Sequence, residues 1–221
     1  RGYGTMTDDE VVSAMRFAAE NKTQLLAHCN GDAAAEQFLR CYEVVLREYP
    51  EIRDLRFVII HGQLMGRDQL TRAAELGVMV SFFVAHILYW GDTHIKNFGL
   101  DRASRISPAG SAARAGLRFT FHQDSPVIMP DMLETISAAV TRLTSGGVLL
   151  GSDERISVEG ALRAVTLDAA YQYGEENEKG SITVGKRADL VLLDRDITTS
   201  RHEDIAGIRV VGTWKDGKRI F

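Results

Sequence analysis

Three short apolar runs of this chain end in side chains able to bind a metal. They are Leu25-Leu26-Ala27-His28, Phe57-Val58-Ile59-Ile60-His61 and Phe119-Thr120-Phe121-His122-Gln123-Asp124. Imidazole nitrogen and carboxylate oxygen are the ligands that zinc and similar divalent ions take, and a site with one open position can activate water. His28 or His61 alone would fit equally a hydrogen-bonded histidine closing a strand. Their recurrence at the ends of successive runs makes them candidate ligands. Asp124 is followed at once by Ser125-Pro126, so it reads either as the cap of a turn or as a weakly binding carboxylate that takes a proton from water. His122 lies two residues earlier, hence on the same strand face. It could line the mouth of a site or face the core.

The remaining chemistry-bearing residues are weaker candidates. His86 and His94, with Tyr89 and Trp90, fall in residues 85–116, whose weak periodicity predicts a long irregular segment, either a substrate-facing lid or a solvated loop. His202 sits among charged neighbours and reads as a surface residue. Cys29 alternates away from His28 and reads as a small buried hydrophobe. Asp32 reads as a helix N-cap rather than a catalytic acid.

A metal site at strand ends needs elements to hold it there. Continuous apolar runs are the pattern of parallel strands buried on both faces, and α/β folds gather chemistry at the carboxyl ends of such strands. Thr7-Asp8-Asp9-Glu10 has the form of a capping box opening a first helix with Val11, Met15 and Ala18 on one face. A second helix carries Phe38, Tyr42, Val45 and Tyr49 and is stopped by Pro50. A third runs from about Asp68 to Gly77, and Val78-Met79-Val80-Ser81 opens another strand. Asp131 and Glu134 repeat the cap logic for a helix bearing Ile136, Val140 and Leu143, and Ser157 caps one more from Val158 to about Tyr173. Helix, strand–helix, strand–helix, strand–loop, strand–helix predicts βαβ units and a parallel sheet. From about Lys179 the pattern changes to short runs punctuated by glycine. Residues 180–186, 188–194, 208–214 and 218–221 read as strands, the last two joined by Asp216-Gly217, a two-residue hairpin signal.

The composition is that of an ordinary globular protein, with 221 residues, 45% hydrophobic, 25% charged and a net charge of −4. No clustered basic face marks a nucleic-acid partner, and no apolar stretch approaches the roughly 18–20 residues of a membrane span. The two cysteines, Cys29 and Cys41, are too few for a disulfide scaffold, so a reducing, cytoplasmic setting is expected. The chain opens on Arg1 without a signal-peptide pattern and is expected to be part of a longer protein.

In order, these residues resemble the amidohydrolase superfamily, and within it the YtcJ-like branch, amidohydrolase family 3. The matching segments are His28-Cys29-Asn30-Gly31-Asp32-Ala33-Ala34, Ile60-His61-Gly62-Gln63 and His122-Gln123-Asp124-Ser125-Pro126-Val127. Glu159-Gly160-Ala161-Leu162-Arg163-Ala164-Val165-Thr166 follows, and then residues 180–194, Gly180-Ser181-Ile182 through Gly185-Lys186-Arg187-Ala188-Asp189-Leu190 to Asp194. The resemblance implies that residues 1–178 are the C-terminal half of a distorted (β/α)8 TIM barrel, about four βα units. Residues 179–221 would belong to a small β-sandwich. It makes His28, His61 and Asp124 ligands of a divalent metal, zinc, with one or two ions in the intact protein, and Asp124 the general base. Many relatives have Gly-Ser-Asp where this chain has His122-Gln123-Asp124, and a histidine there would sit over the site. The family's first-strand His-x-His pair and bridging residue would precede residue 1. The implied function is hydrolysis of a C–N bond in an amide or N-acyl small molecule by metal-activated water. This chain alone is expected to bind metal weakly, to lack activity and to self-associate as a homodimer. Two alternatives are a non-catalytic module that keeps the fold, and a complete four-stranded doubly wound domain.

Overall fold

The computed structural model describes residues 2–221. Helix α1 (Asp8–Glu20) starts at Thr7 with a complete capping box, the Thr7 hydroxyl accepting from the Glu10 amide and Glu10 Oε2 accepting from the Thr7 amide at 2.7 Å. Strand β1 (Leu26–Cys29), helix α2 (Asp32–Glu48), β2 (Val58–His61), α3 (Arg67–Leu76) and β3 (Met79–Phe82) then alternate. Gly77 ends α3 at φ +75°, the left-handed geometry that glycine reaches without a Cβ penalty. Asp32 is not the N-cap of α2. Gly31 occupies that position, and Asp32 is the first helical residue, its carboxylate accepting from the Ala33 amide and from Arg102. An acid in the first turn still suits the helix dipole.

Residues 85–116 are not an irregular segment. They form α4 (His86–Phe98), α5 (Leu100–Ala103) and α6 (Ala109–Arg114). The apolar signal was weak because α4 buries only Ile87 and Gly91 fully, while the half-buried His86, Trp90 and His94 lie beside them. Strand β4 (Phe119–Phe121) and α7 (Met132–Thr141) follow, with Asp131 capping α7 by accepting from the Leu133 and Glu134 amides. The single helix expected from Val158 to Tyr173 is broken at Thr166, whose φ of −125° and ψ of −85° separate α8 (Val158–Val165) from α9 (Leu167–Gln172). Both halves pack on β4.

The first four strands make one parallel sheet in the order β1-β2-β3-β4, with Leu26 opposite Val58, Val58 opposite Met79 and Val80 opposite Phe119. Each strand lies beside its predecessor. A doubly wound sheet requires a reversal of order at a switch point, and this sheet has none, so that alternative is set aside. The core lies between sheet and helices around Phe38, Tyr42, Phe57, Leu70, Val80 and Phe82. Cys29 belongs to it, and burial pushes its thiol up to about 12.

The tail forms a second, antiparallel sheet, β5 (Leu190–Leu193), β6 (Val210–Lys215) and β7 (Lys218–Arg219). Asp216 and Gly217 both take positive φ, +49° and +75°, the signature of a type I′ hairpin. Residues 180–186 contain turns rather than a strand. His202 is exposed, as expected. Among the described residues no helix is long and apolar enough to cross a membrane.

Arg142 ends α7 at φ +54° and is wholly buried. Its guanidinium donates to four main-chain carbonyls, those of Leu150 (2.7 Å), Ile106 (2.9 Å), Ser107 (3.1 Å) and Ser104 (3.3 Å). Desolvation, only partly offset by Glu154 and Asp153, lowers its pKa to about 10. The held segment matters for the site. The Ser107 amide donates to the Gln63 carbonyl at 2.8 Å, and its hydroxyl donates to the Phe83 carbonyl.

Candidate metal centre

His61 is the last residue of β2, and His122 and Asp124 follow β4 directly. His61 and Asp124 both adopt left-handed backbone, φ +75° and +53°. Non-glycine residues pay roughly 1–3 kcal/mol for such conformations, which persist where surrounding structure enforces them. Here the turn swings each side chain off the strand towards a common point. Gly62, next to His61 and also left-handed at φ +54°, leaves no room for a Cβ. One would sit 2.8 Å from Val80 Cγ1 and 3.0 Å from Met65 Sδ.

One donor atom from each of His61, His122 and Asp124 lies within 4.8 Å of the other two. His61 Nε2 is 3.9 Å from Asp124 Oδ2, with the His61 side chain 3% exposed and that of Asp124 44%. The pair is therefore reached from solvent through the carboxylate. Ser81, buried on β3, has its hydroxyl 3.0 Å from His122 Nδ1. His122 Nε2 and His61 Nδ1 are buried without a partner, and nitrogens left so are expensive unless a ligand meets them. Two imidazoles and a carboxylate suit a divalent ion, so the donor set fits one.

Electrostatics keep the imidazoles in the ligating form. Burial lowers the pKa of His61, with His28 acting in the same direction and Asp124 opposing. Burial brings His122 down to about 4, with His61 adding to the effect. Both are neutral at pH 7, the state a metal requires.

His28 is exposed at the end of β1, with its ring centroid 4.6 Å from that of His61 in an edge-to-face arrangement. It adjoins the group of three without belonging to it. A second row lies beyond His61. His86, the first residue of α4, stacks at 5.9 Å from His61, and Phe83 lies 4.3 Å from His86. His94, two turns along α4, has Nε2 3.0 Å from Gln63 Nε2. An amide nitrogen only donates, so His94 accepts there and carries its own proton on Nδ1. The sequence reading missed Ser81 and Gln63 as partners. Gln63 lies in the Ile60-His61-Gly62-Gln63 segment, so its closeness to His61 was a usable signal. Ser81 carried none, since its contact depends on the pairing of β3 with β4.

A parallel α/β sheet here presents a His/His/Asp donor group at its carboxyl end. The profile of the amidohydrolase family, family 3, matches residues 1–221, and the chain belongs to that family. The N-substituted formamide deformylase of Arthrobacter pascens is 30% identical over 217 residues, covering 98% of this chain and 40% of that protein. Protein LONG AFTER FAR-RED 3 of Arabidopsis thaliana is 30% identical over 223 residues, 99% of this chain and 38% of that protein. The chain thus spans about two fifths of these curated relatives. Among solved structures, an uncharacterized metal-dependent hydrolase of Pyrococcus furiosus superposes with a TM-score of 0.74 at 28% identity, over 90% of this chain and 39% of that one.

Proposed function

We propose that this chain carries the later βα units of a metal-dependent amidohydrolase barrel, β1 to β4 standing as strands 5 to 8. Residues 1–178 form this part and residues 179–221 part of a small β-sandwich. The observation that carries the reading is the convergence of His61, His122 and Asp124 at the sheet's carboxyl end. Strand order supports the barrel, because sequential parallel neighbours without reversal are what a closing barrel needs. The reaction is hydrolysis of a C–N bond in an amide or N-acyl small molecule, a class consistent with the deformylase name of one relative.

His61 and Asp124 of the converging group would hold the ion, zinc, together with His28, whose ring lies 4.6 Å from that of His61, while His122 is left to face the substrate. A divalent ion bound there supplies Lewis acidity, polarising a carbonyl oxygen and making water more acidic. Asp124, the most solvent-accessible of the inner group, accepts the proton of the attacking water and passes it to the departing nitrogen. His122, with Nδ1 engaged by Ser81, presents Nε2 to the oxygen on which charge develops. The surrounding burial keeps competing water away from these nitrogens.

In this chain alone the metal is held weakly, and its open sheet edges favour a homodimer. The net charge of −4 gives nucleic acid no footing. The test is Asp124→Asn in the active protein, with turnover of N-acyl amines and bound zinc measured together. Loss of turnover by about 10²-fold or more with zinc retained is expected. Wild-type turnover with zinc retained would remove Asp124 as the base.

A further inference from the structure

Beside the metal donors lies an apolar cluster separate from the main core, formed by Phe83, Ala85 and Ile128 with Trp90 packed against it. It comes from two loops, the one joining β3 to α4 and the one joining β4 to α7. Phe83 approaches His122 at 5.6 Å and His61 at 6.3 Å, ring centroid to centroid. His86 extends the cluster, edge-to-face with Trp90 at 5.3 Å and 75°. Phe83 and Trp90 make a second such pair at 5.9 Å and 69°.

We propose that Phe83, His86, Trp90 and Ile128 form the subsite for a planar aromatic group flanking the scissile C–N bond, an inference that rests on the hydrolase reading above. Three observations carry it. The rings adjoin the reacting centre, so a group bonded to the scissile nitrogen or carbonyl carbon reaches them at once. Trp90 is only partly buried, and the neighbouring Val127 and Met129 are 53% and 82% exposed. Phe83 and Ile128, buried at 1% and 9% exposure, back the site, whereas His86 and Trp90 are only partly buried and leave ring surface that a ligand can meet. Trp90 also stands nearly perpendicular to both Phe83 and His86, leaving edges and faces for a further ring to meet in the offset or T-shaped geometries that aromatic pairs favour.

Helix α4 is held for this purpose at both ends of the stripe. Gln63 grips His94, which also stacks on Phe98 at 5.3 Å, and Ser107 fixes the Phe83 carbonyl. His94 and Gln63 are thus positioning residues.

The chain has two tryptophans, Trp90 and Trp214, so Trp214→Phe leaves Trp90 as the sole indole reporter. Acetanilide and N-cyclohexylacetamide, alike in size and differing in planarity, are titrated against its emission. A saturable change with acetanilide bound at least about fivefold more tightly is expected, and His86→Leu should cut that preference to below about twofold. Equal affinities, or no saturable change with either probe, overturn the subsite. If His86→Leu fails to fold by far-UV circular dichroism, the ratio in the Trp214→Phe chain decides alone. Parallel hydrolysis assays on the active protein separate the two claims. Turnover without aromatic preference refutes the subsite and spares the reaction, whereas preference without turnover refutes the reaction and spares the subsite.

Discussion

Replacing Arg142 by methionine should destabilise the protein more than almost any other single change. The guanidinium is fully buried and donates to four carbonyls, and no carboxylate hydrogen-bonds it. Hydrogen bonds from a charged group are worth about 1.5–3 kcal/mol each, and each buried acceptor left unmet costs about 1–3 kcal/mol. Relief from burying a cation returns part of this, since a buried charge carries its own desolvation penalty of several kcal/mol. The balance is a loss of about 3–5 kcal/mol. With a urea slope near the upper end of about 1–3 kcal/mol/M, the midpoint should fall by about 1–2 M. Arg142→Lys keeps the charge, but its single ammonium cannot span residues 104–107 and Leu150 together, so it should show more than half of that loss. Because Arg142 steadies Ser107, which in turn holds Gln63 and Phe83, amide hydrogen exchange at Ser107 should quicken in both variants. A methionine variant within about 1 kcal/mol of the parent, with Ser107 still protected, would refute the reasoning.

Other outcomes follow from the site. His86 and His122 are lowered from 6.5 to about 4, chiefly by burial, so the metal-free protein keeps their full contribution above about pH 6.5. It loses that contribution as pH falls towards 4, because the unfolded chain takes up protons that the folded one refuses. The urea midpoint should drop between pH 7 and pH 5, and His86→Phe should shallow that slope. Gly62→Ala forces a Cβ to 2.8 Å from Val80 Cγ1 at φ +54°. A loss of more than about 1 kcal/mol, read by thermal melting, is expected, together with weaker zinc binding through displacement of His61.

The sequence revealed elements whose signals are local. The Thr7–Glu10 box, the Gly77 stop and the Asp216-Gly217 hairpin each depend on a few adjacent residues, and each stands where expected. The strand-end histidines were visible because a parallel strand is a continuous apolar run. What was hidden depends on contacts between distant segments. Nothing near Ser81 announces that its hydroxyl meets His122 across a strand pair. Helix α4 was hidden because its apolar stripe is thin, Ile87 and Ile95 with Gly91 between them, and the half-buried His86, Trp90 and His94 beside it count as weakly apolar or polar in hydropathy. Asp32 was misplaced by one position, a distinction that rests on whether its side chain or its backbone opens the helix.

The sequential strand order has a consequence for synthesis. Every strand of the parallel sheet finds its partner in the segment made immediately before or after it. A ribosome therefore delivers the strands in the order in which they dock. β2 can settle on β1 while β4 is still untranslated. Assembly can proceed as a front advancing with translation, which shortens the time that each apolar run spends exposed. His61 ends β2 whereas His122 and Asp124 follow β4, so the candidate metal centre cannot be assembled until that front has passed Asp124.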